Sequence, residues 1–94
     1  MTLPRKGRVS IPDGVMVREL DGESVILNLD SEAYFGLDDV GTRMWSALTE
    51  SETIETAYET LLAEYDATPE QLQADLGDFV EQLAASGLID VREV

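Results

Sequence analysis

The dipeptide Asp21-Gly22 stands between VMVREL, residues 15–20, and ESVILNL, residues 23–29. Short runs rich in Val, Ile and Leu fit a pleated, half-buried surface. Asp-Gly is one of the few pairs that take the positive φ values of a two-residue hairpin turn. An antiparallel hairpin is therefore fixed early in the chain, and every later element has to pack on it or beside it. A second turn at Asp30-Ser31 leads into a third short strand, residues 33–37, which completes a three-stranded meander.

After the meander the hydrophobic period changes. Asp38-Asp39 supplies carboxylates for the free amides of a helix with apolar positions Val40, Met44, Trp45 and Leu48, ending near Thr49. Thr53 caps a second helix, in which Ile54, Ala57, Tyr58, Leu61, Leu62 and Tyr65 share one face. Thr68-Pro69-Glu70-Gln71 opens a third: threonine caps, proline takes the first helical position, and glutamine is placed to close a capping box. Leu72, Leu76, Phe79, Val80 and Leu83 are its expected buried positions. Gly87 stops it, with Leu88 folding back on the last turn. Strands followed by helices segregate as α+β. The expected fold is winged-helix-like, an N-terminal three-stranded antiparallel meander followed by a three-helix bundle, with the wing ahead of the helices.

Before the hairpin, Pro4, Gly7, Pro12 and Gly14 break the chain. Residues 1–8 are read as a flexible tail and 9–94 as one domain, with a short edge strand near residues 9–11. The N-terminus is too polar for a signal sequence, and no apolar run approaches the roughly 18 residues of a membrane span. A cytoplasmic protein with no membrane span is expected.

Composition narrows the chemistry. The 94 residues include no Cys and no His, which removes thiolate nucleophiles, disulfides and the commonest general base and metal ligand. The formal net charge is −14, with 44% hydrophobic residues, enough to fold. Arg5, Lys6 and Arg8 precede every acidic residue, and only Arg18, Arg43 and Arg92 follow. The domain therefore presents a negative field that repels nucleic acid and favours basic or neutral partners.

Four site readings fail on particular residues. The second and third helices have the order of a helix-turn-helix, but the third carries Glu70, Asp75, Asp78 and Glu81 and no base, unlike a helix built to meet a polyanion. Asn28, Asp30 and Glu32 alternate like calcium ligands, yet Ala33 and Asp39 stand where such a loop needs glycine and glutamate. Asp30-Ser31 invites comparison with an acidic carrier protein modified on Ser31, but it lies between strands and is followed by Glu32. Asp38-Asp39 serves as a helix cap more naturally than as an acid/base pair. No catalytic residue, metal site or cofactor is expected.

Peptide binding remains. The third strand lies at the edge of the meander with unpaired backbone groups, and an extended peptide can add to such an edge while its side chains enter an adjoining apolar groove. The third helix is the natural second wall, with Leu72, Leu76, Phe79 and Leu83 on one side and Gln73, Gly77, Val80 and Ala84 as a flank. Tyr34 and Phe35 alternate faces, so one enters the core and the other borders the groove. Gly36 leaves room for a neighbouring backbone.

The run VILNLDSEAYFGLDDVGTRMW, residues 25–45, followed by an amphipathic helix, AEYD at 63–66 and GLI at 87–89, resembles the PqqD-like family. The likeness spans residues 9–91 and is strongest to the small stand-alone members of lasso-peptide pathways, in the passage YFGL…VG…W. The resemblance implies a bacterial leader-recognition element for ribosomally made, modified peptides. It implies a leader bound as an added strand between the third strand and third helix, then delivered to a leader peptidase and an ATP-dependent macrolactam cyclase. By position, Glu32, Ala33, Tyr34, Phe35 and Gly36 form the strand wall, and Leu72, Asp75, Leu76, Phe79 and Val80 the helix wall. An acidic carrier protein modified on Ser31, or a degenerate winged-helix interaction domain without a leader ligand, is the other expectation.

Overall fold

The computed structural model describes residues 5–93; residues 1–4 of the expected tail lie outside them. The chain runs β1 (Gly7–Ser10), β2 (Val15–Leu20), β3 (Glu23–Asn28), β4 (Tyr34–Leu37), α1 (Asp39–Glu50), α2 (Ile54–Glu64), α3 (Pro69–Ala85) and β5 (Asp90–Glu93). Strands β2, β3 and β4 form the antiparallel meander in that order. Asp21 and Gly22 have φ of 54° and 81°, the two positive values of the hairpin turn.

The β3–β4 turn is built around Asn28. Its Oδ1 accepts from the amides of Asp30 at 2.9 Å and Ser31 at 3.2 Å, and its Nδ2 donates to the Gly87 carbonyl at 2.9 Å. These bonds use the Asn28 side chain to shape a turn and to tie it to the end of α3.

Two features depart from expectation. A second, two-stranded sheet pairs β1 with β5, Val9 opposite Val91, so the chain ends close on each other. The strand expected near residues 9–11 is Gly7–Ser10, and its partner β5 carries no local signal beyond a few alternating residues. The capping box at α3 is half formed. Thr68 Oγ1 accepts from the Gln71 amide at 3.2 Å, but Gln71 Nε2 turns along the helix to Asp75 Oδ1 at 3.0 Å instead of back to the cap.

The remaining caps match the sequence. Asp38 Oδ1 accepts from the Gly41 amide at 2.7 Å, and Thr53 Oγ1 from the Thr56 amide at 3.2 Å. At the end of α3, Leu88 N–H reaches the Leu83 carbonyl at 2.9 Å and Gly87 N–H the Ala84 carbonyl at 3.1 Å, with Gly87 at φ 72°. This is a Schellman closure, and it drives Leu88 into the core.

One core joins sheet and helices. Ile26 and Leu37 from the inner sheet face meet Met44, Trp45 and Leu48 of α1; Ile54, Tyr58 and Leu61 of α2 and Leu72, Leu76, Val80 and Leu83 of α3 extend it. Val9 and Ile89 bring the small sheet into the same cluster. The N-terminal segment is anchored as well. The Arg5 guanidinium lies 4.9 Å from the Tyr58 ring centroid, donates to Gln73 and sits 3.7 Å from Glu55. On the surface, Arg43 of α1 grips Glu64 of α2 in a two-pronged pair, Nε to Oε2 at 2.8 Å. That hydrogen bond holds the Glu64 carboxyl below its ordinary pKa and raises Arg43.

Inside, Ser24 of β3 and Thr42 of α1 share a hydrogen bond of 2.7 Å, and both side chains are buried. Removing one hydroxyl leaves its partner buried without water or protein to bond, whereas removing both leaves neither. Ser24→Ala and Thr42→Val are each expected to lose about 1–3 kcal/mol. The double variant is expected to lose less than the sum, and a cycle of urea denaturation curves measures the difference.

Candidate functional site

Strand β4 is paired only with β3, through Ser24–Leu37, Val25–Gly36, Ile26–Phe35 and Leu27–Tyr34. The Asn28 amide bonds the Ala33 carbonyl at 2.8 Å, which makes residues 28 and 33 a hydrogen-bonded pair. Such pairs alternate along an antiparallel ladder. Phe35 and Leu37 therefore direct their backbone groups at β3, and Tyr34 and Gly36 direct theirs away from it. The outward N–H and C=O of Tyr34 and Gly36 are the free edge.

Beside that edge lies an open cleft of about 500 Å³. Phe35, Gly36 and Leu37 of β4 form one side; Asp75, Asp78, Phe79 and Gln82 of α3 form the other. Val40, Gly41 and Met44 of α1 make the floor, with the cap residue Asp38 at its margin. The floor is tight against the strand: a Cβ on Gly41 would stand 3.3 Å from the Leu37 side chain. The cleft is apolar at its base and acidic on its rim, with Asp38, Asp75 and Asp78 and no basic residue in its lining.

The meander has a second edge, β2, whose residues are exposed but for half-buried Val15. A hollow at its hairpin end is lined by Arg18, Glu19, Leu20, Glu23, Ser24 and Val25, all of β2 and β3. The β4 edge combines free backbone groups with a cleft roofed by a helix.

Of the residues expected in the site, Phe35, Gly36, Asp75 and Phe79 line this cleft. Leu72, Leu76 and Val80 do not; they are buried in the core, and the face of α3 turned to the cleft is one row further round the helix. Glu32, at φ 62°, and Ala33 belong to the approach turn. The Tyr34 side chain is 75% exposed, on the sheet face opposite the cleft, while Phe35 is the half-buried neighbour that packs inward. Gly77 is buried with Leu76 and does not line the cleft. Leu37, Asp38, Val40, Gly41, Met44, Asp78 and Gln82 were not expected there. The signal for Asp78 and Gln82 is present in the sequence, since 75, 78, 79 and 82 follow helical spacing.

Ser31 lies in the β3–β4 turn, where its hydroxyl accepts from the Ala33 amide at 3.3 Å. Among the described residues no three acidic side chains converge on a metal-sized point, and no helix is long and apolar enough to cross a membrane.

Comparison with known proteins gives three findings. The family described as Coenzyme PQQ synthesis protein D (PqqD) matches residues 23–89. A solved structure, TbiB1 in complex with the TbiA(beta) leader peptide, is 38% identical, with a TM-score of 0.80 over 86% of this chain and 94% of that one. A lasso peptide synthetase B1 complexed with its leader peptide is 19% identical at a TM-score of 0.78, covering 88% and 98%, a likeness of fold. No curated protein matches the sequence.

Position on α3 predicts two different costs of truncation. Leu76 is fully buried, and Leu76→Ala is expected to cost about 2–5 kcal/mol through the cavity it leaves. Phe79 borders the open cleft, so Phe79→Ala is expected to cost less than Leu76→Ala despite removing the larger side chain. Denaturant midpoints with unchanged slopes give the comparison.

Proposed function

The chain belongs to the PqqD family, and from that premise we propose that it binds the leader region of a ribosomally synthesised precursor peptide as an added β-strand on β4. The observation that carries this reading is the free Tyr34 and Gly36 backbone edge facing a helix-walled cleft, in a chain 38% identical to a protein solved with a leader peptide.

Each part of the site has a task. The outward backbone groups of Tyr34 and Gly36 pair with the leader main chain, which gives affinity without dependence on leader sequence. Phe35, Leu37, Met44 and Phe79 receive alternate apolar side chains of the leader, which gives selectivity. Asp75 and Asp78 on the opposite rim favour a leader with basic residues near the anchor. Glu32 and Ala33 shape the approach to the strand, and Leu72, Leu76 and Val80 hold α3 at the spacing the peptide needs.

The domain performs no chemistry in this reading. It holds the leader extended, in the cytoplasm, and delivers the precursor to a leader peptidase and an ATP-dependent macrolactam cyclase of lasso-peptide biosynthesis. Binding into a preformed cleft avoids ordering the protein, so the entropy cost falls mainly on the peptide.

Tyr34→Pro removes one outward donor and leaves the bonds to β3 in place. It is expected to weaken a fluorescein-labelled leader about tenfold in fluorescence polarisation, the ~1.4 kcal/mol of one good backbone hydrogen bond. Helical circular dichroism stays unchanged, and Tyr34→Val, which keeps the amide, binds normally. Equal binding by the proline variant refutes strand addition. The acidic rim carries its own signature: association with a basic leader slows steeply as salt rises, while dissociation changes little. Stopped-flow rates across a salt series separate the two.

A further inference from the structure

The two walls of the cleft belong to different parts of the fold, and one side chain joins them. Asn28 ends β3, and its backbone amide bonds the carbonyl of Ala33, the residue before β4. Its Nδ2 donates at 2.9 Å to the carbonyl of Gly87, just past the end of α3. The start of β4 and the end of α3 therefore meet at one end of the cleft. Among the described residues this is the hydrogen bond that runs directly from the meander to the α3 segment. The opposite end of α3 is held independently, by the Tyr58 hydroxyl on the Pro69 carbonyl and by Arg5 on Gln73.

Both partners are shaped for the contact. Asn28 Oδ1 is occupied by the amides of Asp30 and Ser31, which turns Nδ2 toward the helix. Carbonyls at a helix end have no donor from the helix itself, so the one at Gly87 is available to a side chain. Gly87 has φ 72°, and a Cβ there would stand 3.4 Å from Nδ2. The bond is solvent-exposed, so water replaces it at little cost to global stability. Its effect is on position.

We infer that Asn28 is a positioning residue for leader binding: its bond to Gly87 holds the C-terminal half of α3, with Phe79 and Gln82, at the distance from β4 that an added strand occupies. The inference rests on the strand-addition reading and adds to it a residue outside the cleft. With the tie in place the free protein already has the bound spacing, and the leader does not have to impose it. Without the tie α3 pivots about its anchored start. The fraction of chains with the bound spacing falls, and apparent affinity falls by the same factor.

Two variants remove the donor and keep the turn. Asn28→Asp retains an acceptor for the Asp30 and Ser31 amides, and sets a carboxylate against the Gly87 carbonyl and the negative end of α3. Asn28→Ser keeps a shorter acceptor that also suits a turn, adds no charge, does not reach Gly87, and serves where the aspartate variant fails to fold. Each is expected to bind a fluorescein-labelled leader about fivefold more weakly in fluorescence polarisation, with urea midpoints close to wild type. A cycle with Phe79→Ala separates positioning from general damage. Phe79 is the α3 side of the cleft, so in a Phe79→Ala background the Asn28 change is expected to cost less than about twofold. In a Tyr34→Pro background, which alters the strand edge alone, it keeps its full cost. Equal losses with and without Phe79 overturn the proposal, and so does affinity within about twofold of wild type in both single variants. A wild-type chain that binds no leader overturns the strand-addition reading and this proposal with it. Normal wild-type binding with unaffected variants overturns this proposal alone.

Discussion

Everything at the cleft depends on how α1 lies against the sheet. Met44, Trp45 and Leu48 pack on Ile26 and Leu37, and the Ser24–Thr42 hydrogen bond fixes the sliding position of helix on strand. Two buried hydroxyls with only each other as partners tolerate little displacement, because a slip leaves both unsatisfied. On its other side α1 carries α2, reinforced at the surface by Arg43 and Glu64. Helix α3 is placed by α2, through the shared core and the Tyr58 hydroxyl donating to the Pro69 carbonyl at 3.2 Å. Sheet and α3 are thus positioned through α1 and α2, with Asn28 tying the β3–β4 turn to the end of α3, and the cleft is the space between β4 and α3 that α1 fills only at its base.

An edge strand beside an apolar cleft is also a hazard, since any extended chain can pair with it. The fold limits this in three ways. Strand β4 spans only Tyr34–Leu37, so few backbone groups are free. Asp38, at its end, commits Oδ1 to the Gly41 amide and puts a carboxylate at the cleft mouth. The net charge of −14 then opposes the approach of another copy. The field that discourages self-association is also one that favours basic partners.

Local signals in the sequence were read correctly where the physics is local. Asp21-Gly22, Thr53, Thr68-Pro69 and Gly87 fix turns and caps through their own backbone preferences, and the structure uses each so. The strand β5 was missed because its order comes from pairing with β1 at the far end of the chain, a contact no window of residues contains. The helix wall was shifted for a different reason. Apolar periodicity marks Leu72, Leu76 and Val80, but it cannot say whether an apolar row faces a core or a ligand. Here it faces the core, and the cleft takes the adjoining row where Phe79 sits among Asp75, Asp78 and Gln82. The floor from Asp38 to Met44 was hidden because α1 was legible only as a helix packing on the sheet; that its first turn also closes a cleft follows from where α3 lies.

Strand β4 carries the motif YFGL, and its alternation explains why that motif mixes residue types. Phe35 and Leu37 turn inward, one bordering the cleft and one sealing the core, and their backbone groups are spent on β3. Tyr34 and Gly36 turn their side chains to the open face and their backbone groups to the free edge. A glycine here keeps that edge accessible: a Cβ on Gly36 would meet nothing within 4 Å, so core packing does not demand it. Any strand added to β4 inherits the same alternation. The cleft can then specify only every second residue of a bound peptide, and the intervening residues lie on the outer face, beyond the reach of α3.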